Sequence, residues 1–120
     1  MPKRIQRQRT KGWKMPEGAV YVGRPTKWGN PYKVLRVDKP GFYPYGWRVR
    51  PEPAVALVRH IWPTETAAVE RAVALYRKNL IERIAHGSVD VTELAGRDLA
   101  CWCPLDQPCH TDALLELVNQ

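Results

Sequence analysis

The segment CWCPLDQPCHTD, residues 101–112, carries every cysteine of the chain, Cys101, Cys103 and Cys109, and sets His110 beside the last of them. Three thiols and one imidazole meet the ligand count of a tetrahedral Zn²⁺ site. The spacing, C-x-C-x5-C-H, departs from the two-residue gaps of familiar structural zinc sites, and adjacent Cys and His ligands crowd one another. The same residues also fit a reactive or ligand-binding thiol. A thiolate at a helix N-terminus is stabilised by the positive end of the helix dipole, and a neighbouring imidazolium adds to that. Free amides at such a terminus bind phosphate. In that chemistry Cys109, His110 and Asp112 form the catalytic set, His110 as acid or base and Asp112 orienting it or holding a hydroxyl. A third reading is structural, with small buried cysteines packed under Trp102 and with His110 and Asp112 as caps. Residue types alone leave the three open.

A second constellation is GRPTKWGNPY, residues 23–32. Arg24 offers a planar fork for phosphate and Lys27 a point charge. Trp28 can stack on a base or sugar, and Asn30 can read a polar edge. Gly29 allows a positive φ in the turn. The pattern is neither a Walker A loop nor GxGxxG. A turn that holds the core together, with Trp28 buried, accounts for the same residues.

These segments need elements to position them. Ala19–Val22 reads as a strand ending at Gly23, and Lys33–Val37 alternates as a half-exposed strand does. Residues 38–53 hold four of the eleven prolines among aromatics and read as an irregular Pro/aromatic insert. Residues 54–62, AVALVRHIW, fit strand or helix equally. Val69, Ala72, Val73, Tyr76, Leu80 and Ile84 recur at helical spacing, with Thr64 or Thr66 to cap the start and Gly87 to end it. Tyr21 and Tyr76 are expected in the core. Asp90 with Glu93 resembles a capping box on a one-turn helix stopped by Gly96. Leu99–Cys103 reads as a buried strand, which places Cys101 and Cys103 on one face by its period of two. Ala113, Leu114, Leu117 and Val118 mark a final amphipathic helix. The cluster then sits where a strand's carboxyl end meets a helix start, the ligand position of open α/β sheets. The expected fold is a single Rossmann-like α/β domain, its sheet mostly parallel and flanked by helices.

At 120 residues and 44% hydrophobic the chain suits one globular domain, over residues 15–120. Residues 1–14 carry six basic and no acidic side chains and read as a flexible or extended basic arm. Residues 1–50 hold 13 basic and 2 acidic side chains, a net of +11, whereas residues 51–120 hold 6 and 10, a net of −4. That asymmetry points to an anionic partner for the first half, a nucleotide or nucleic acid, or else to a solvated basic face. Apolar runs such as Ala54–Val58 fall far short of the roughly 18 residues a membrane span needs. Three clustered cysteines suit metal or thiol chemistry in the reducing cytoplasm better than a disulfide framework.

VYVGRPTKWGNPY, YRKNLIERI and GRDLACWCPLDQPCHTDALLELVN together resemble the bacterial and phage family catalogued as domain of unknown function 4326. The resemblance rests on Gly23, Arg24, Lys27, Trp28, Gly29, Asn30 and Pro31 in the first motif. In the last it rests on Cys101, Trp102, Cys103, Pro104, Cys109, His110 and Asp112. It implies no established activity, and through its phage context it suggests nucleotide or nucleic-acid metabolism. The Cys–His ending is more loosely similar to that of another α/β family, which again suggests a Rossmann-like sheet.

The functional expectation is therefore a nucleotide- or nucleic-acid-directed site. Arg24, Lys27, Trp28 and Asn30 would bind the ligand, and Cys109, His110 and Asp112 would react, with group transfer or hydrolysis at a nucleoside or base as the chemistry. The competing expectations are a non-catalytic nucleic-acid-binding module folded by zinc on Cys101, Cys103, Cys109 and His110, and a phage-type protein that contacts a host protein through the 38–53 insert. Whether the chain is an enzyme stays open at this level, and zinc is the one cofactor the pattern calls for. No membrane partner is expected.

Overall fold

The computed structural model describes residues 2–38, 45–51 and 61–119. Its organising strand is β5, Leu99–Cys101, in which all three residues are buried. Short apolar strands covered on both faces are typical of parallel sheets. Strand β1, Arg4–Gln6, pairs parallel with one edge of β5, and strand β2, Val20–Tyr21, pairs parallel with the other. Arg4 lies opposite Leu99 and Gln6 opposite Cys101, while Tyr21 lies opposite Ala100. Strands β3, Lys33–Asp38, and β4, Tyr45–Arg50, form a separate antiparallel pair.

Helix α1, Glu65–Ala85, begins where Thr64 caps it, the Ala67 amide donating to Thr64 Oγ1 at 3.1 Å. Its end is followed by Gly87 at φ +70°, a conformation that favours glycine. One face of α1 sends Tyr76 and Leu80 into a core with Val22, Trp28, Leu94, Leu99, Ala113 and Leu114. Ala68, Ala72 and Leu75 pack instead with Val49 against the β3–β4 pair. A one-turn 3-10 helix, Val91–Leu94, capped by Asp90, leads to β5. Helix α2, His110–Val118, closes the domain against β5, β1 and α1.

The result is a small mixed α/β domain. It differs from the expected alternation of strand and helix, because β1 to β4 all precede α1 and no helix joins β1, β2 and β3. Two further expectations change. Residues 4–6, read as part of a flexible or extended arm, form an edge strand because β5 offers them a ladder, with Leu99 donating to Lys3 O at 3.0 Å and Arg7 donating to Cys101 O at 2.7 Å. Part of the Pro/aromatic insert is strand β4, with Trp47 and Val49 turned toward the second core. Residues 39–44 and 52–53 of that insert, and residues 54–60 of the ambiguous AVALVRHIW stretch, lie outside the described residues. Among the described residues no helix is long and apolar enough to cross a membrane.

Candidate functional site

Strand β5 ends at Cys101, two residues earlier than the sequence reading placed it. Cys103 therefore arrives by a turn and not by strand alternation. Cys109 is the N-cap of α2, with no side-chain capping bond of its own. Turn and helix start bring the three sulfurs together, all within 4.8 Å of one another. Cys109 Sγ lies 2.7 Å from Cys103 Sγ and 3.4 Å from Cys101 Sγ. Cys101 and Cys109 are each 1% exposed, and no disulfide joins any of the three.

Three sulfurs this close cannot all carry charge unaided. Cys109 ionises first. Hydrogen bonds from the Cys101 and Cys103 thiols hold it far below the ordinary thiol range; burial opposes them, while contacts to His110 and Thr111 add to them. Cys103 is pushed far upward by its bonds to Cys101 and Cys109 and by burial. For Cys101 the bond to Cys103 draws the pKa down, but the bond to Cys109 and burial outweigh it, and the net direction is upward. A cation among the sulfurs removes the conflict. Thiolates about 2.3 Å from a tetrahedral Zn²⁺ stand about 3.8 Å apart, and the three sulfurs all lie within 4.8 Å of one another. The residues thus fit a metal with three thiolate ligands.

His110, the expected fourth ligand, stands outside that group. Its Nε2–H donates to Val22 O at 2.9 Å, and its Nδ1 lies 3.6 Å from Cys109 Sγ. The ring packs edge-on to Tyr76 at a centroid distance of 5.1 Å. Burial pushes the Tyr76 hydroxyl up well beyond the usual tyrosine range, so it stays protonated and donates to Trp28 O at 2.7 Å.

The GRPTKWGNPY loop reaches the same place by close packing of its own backbone. A Cβ on Gly29 would lie 2.9 Å from the Arg24 amide nitrogen, so this turn requires glycine. Tyr21 Oη donates to Arg24 O at 2.6 Å, and Asn30 ties the loop to α1 through Ala72 O while accepting from the Tyr32 amide at 2.8 Å. Arg24, Asn30, Tyr21 and Tyr32 line one cavity of about 520 Å³ together with Cys101, Trp102, Cys103, Cys109 and His110. Arg24 is exposed and has no carboxylate partner among the described residues.

Three expected site residues are used elsewhere. Trp28 is 4% exposed in the core and presents no face for stacking. Lys27 pairs with Glu93 at 2.7 Å, away from the cavity lining. Asp112 is paired with Arg4 at 3.1 Å and does not line the cavity. Asn30 lines the cavity, but both ends of its amide are engaged by backbone.

Arg4 had no signal in the sequence, since its contacts lie about a hundred residues away. Its guanidinium donates to the carbonyls of Pro104, Leu105 and Gln107 at 3.3, 2.7 and 3.0 Å, and so fixes the turn between Cys103 and Cys109. Tyr21 and Tyr32 were equally hidden as lining residues, because only the placement of α1 and β5 sets them at the cavity.

The family model for a domain of unknown function, DUF4326, matches residues 5–120. No curated protein and no solved structure matches the chain. The chain belongs to the DUF4326 family.

Proposed function

We propose that this member of the DUF4326 family binds a nucleotide in the cavity between its two motifs, against a zinc ion held by Cys101, Cys103 and Cys109. The observation that carries the reading is the shared cavity of about 520 Å³, with three converging sulfurs on one side and on another Arg24, which has no carboxylate partner among the described residues. The volume lies within the range of small-molecule sites, which is about 300–1,000 Å³. Arg24 supplies a forked donor for phosphate, and the rings of Tyr21, Tyr32 and Trp102 supply faces for a base.

The three-thiolate set leaves the fourth position of a tetrahedral ion open, as catalytic zinc sites do and closed structural sites do not. A Zn²⁺ bound there would supply Lewis acidity toward an oxygen of the ligand or of water. The protein residues do the rest. Arg24 orients the phosphate, and the bond to Val22 O fixes the orientation of the His110 ring. Group transfer or hydrolysis at a nucleoside is the reaction class this arrangement favours. Parallel pairing in the order β1-β5-β2, with the cysteines at the carboxyl end of β5, supports a Rossmann-like ancestry for the site. Three unpaired thiols favour a reducing, cytoplasmic setting.

The test is calorimetric titration of the zinc-loaded protein with nucleosides and their mono-, di- and triphosphates. At least one phosphorylated nucleotide is expected to bind, and Arg24→Ala is expected to weaken it about tenfold, the cost of a charge-assisted hydrogen bond. Equal binding of phosphorylated and unphosphorylated ligands, or none at all, overturns the reading.

A further inference from the structure

The N-terminal segment places two more cations beside the cavity. Beyond β1, the Arg7 guanidinium stacks over the Tyr21 ring at 4.6 Å and over the Trp102 ring at 4.7 Å, and Arg9 stacks over Trp102 at 4.8 Å. Tyr21 and Trp102 both line the cavity. The four side chains form an alternating series of ring and cation at its edge, and Trp102 keeps 39% of its surface exposed.

The series is electrically incomplete. Two guanidinium groups crowd one indole, yet neither has a carboxylate partner among the described residues, and Arg7 Nε is buried with no acceptor. No acidic residue precedes Glu17 in the chain. Arg24, also without a carboxylate partner among the described residues, adds a third guanidinium at the same cavity. Like charges held this close raise the energy of the free protein, and an anion between them lowers it. The anion must also suit flat rings and guanidinium planes. Phosphates interleaved with bases meet both demands. A membrane surface or an acidic peptide meets only the first. Base faces are open to such stacking when the strand is single.

We propose that Arg7, Trp102 and Arg9 form a track for single-stranded nucleic acid which delivers one nucleotide of the strand into the cavity. The delivery step rests on the nucleotide reading of the cavity, whereas the track itself does not. Phosphates lie along Arg7 and Arg9, and a base stacks on the Trp102–Arg9 layer. The substrate class is then a nucleotide within or at the end of a strand.

Fluorescence anisotropy tests this with labelled thymidine and uridine oligomers of about 12 nucleotides, within the site size of a small binding domain. The full-length protein is expected to bind them at least tenfold tighter than the mononucleotide, with affinity falling steeply as salt rises. The tighter of the two oligomers identifies DNA or RNA as the strand. Arg7→Ala with Arg9→Ala is expected to lower oligomer affinity about tenfold and mononucleotide affinity by a smaller factor, and an equal loss for both would overturn the track. Arg9→Ala alone, at an exposed position, gives the same direction without disturbing the fold. Oligomers no tighter than the mononucleotide overturn the track while the cavity reading stands. Oligomer binding that depends on Arg7 and Arg9, with no mononucleotide binding, supports the track and removes the cavity reading. Equal affinity for duplex, for polyglutamate or for anionic phosphatidylserine vesicles overturns the track as a single-strand site.

Discussion

Arg4 directs its guanidinium at three carbonyls of the turn between two of the cysteines, and at Asp112 in the first turn of α2. Its side chain is only 9% exposed, whereas Asp112 is 55% exposed. The two ends of this contact therefore differ in worth. A half-exposed ion pair contributes at most about 1 kcal/mol, and a single hydrogen bond from a buried charged group contributes about 1.5–3 kcal/mol. Arg4→Ala is expected to cost about 2–4 kcal/mol in urea unfolding and to speed chelation of zinc from the cysteines. Asp112→Ala is expected to cost under about 1 kcal/mol and to leave metal retention unchanged. Arg4→Lys is expected to resemble Arg4→Ala, because an ammonium cannot reproduce the planar fork. Equal costs for the Arg4→Ala and Asp112→Ala substitutions would show that the ion pair, and not the carbonyl clamp, holds the turn.

At the scale of elements, α1 separates the two clusters of packed side chains and carries the cavity wall between them. Thr64 starts it with one side-chain bond, so Thr64→Ala is expected to lower stability by about 1 kcal/mol, seen as a few degrees in Tm, with ligand binding unchanged. An unaltered Tm would mean that packing alone fixes the start of the helix. This helix was legible from its apolar spacing, its capping threonine and Gly87, since all of these signals are local. Strand β5 and α2 were legible for the same reason, and so was the meeting of the Cys–His segment with the GRPTKWGNPY loop, because a short domain brings neighbouring element ends together. Strand β1 was not legible. Three residues, RIQ, have no pattern of their own and become a strand only because β5 lies alongside. Strand β4 did carry a signal, Trp47 and Val49 at a spacing of two, but the prolines on either side masked it. The core packing of Trp28 and the pairing of Lys27 with Glu93 were not legible for a related reason. An aromatic or a lysine in a loop looks the same whether its partner is a ligand, the core or Glu93, and only tertiary packing separates these cases.

Taken whole, the molecule joins a first half of net +11 to a second half of net −4. The fold does not leave the two apart. Arg24 from the basic half and the sulfurs from the acidic half line one cavity, and Arg7 and Arg9 stack on the Trp102 that stands between two of the cysteines. In the proposed function, anion recognition and metal chemistry meet at this one place, and the number of protein ligands on the metal decides whether it can act on what it binds. Zinc-edge X-ray absorption of the purified protein measures this directly. About one Zn²⁺ per chain is expected, with three sulfur scatterers at about 2.3 Å, one light-atom scatterer at about 2.0 Å and none of the outer-shell scattering that an imidazole ligand gives. A protein that neither contains nor takes up zinc, or a closed shell in which the nitrogen of His110 is the fourth ligand, would contradict this expectation.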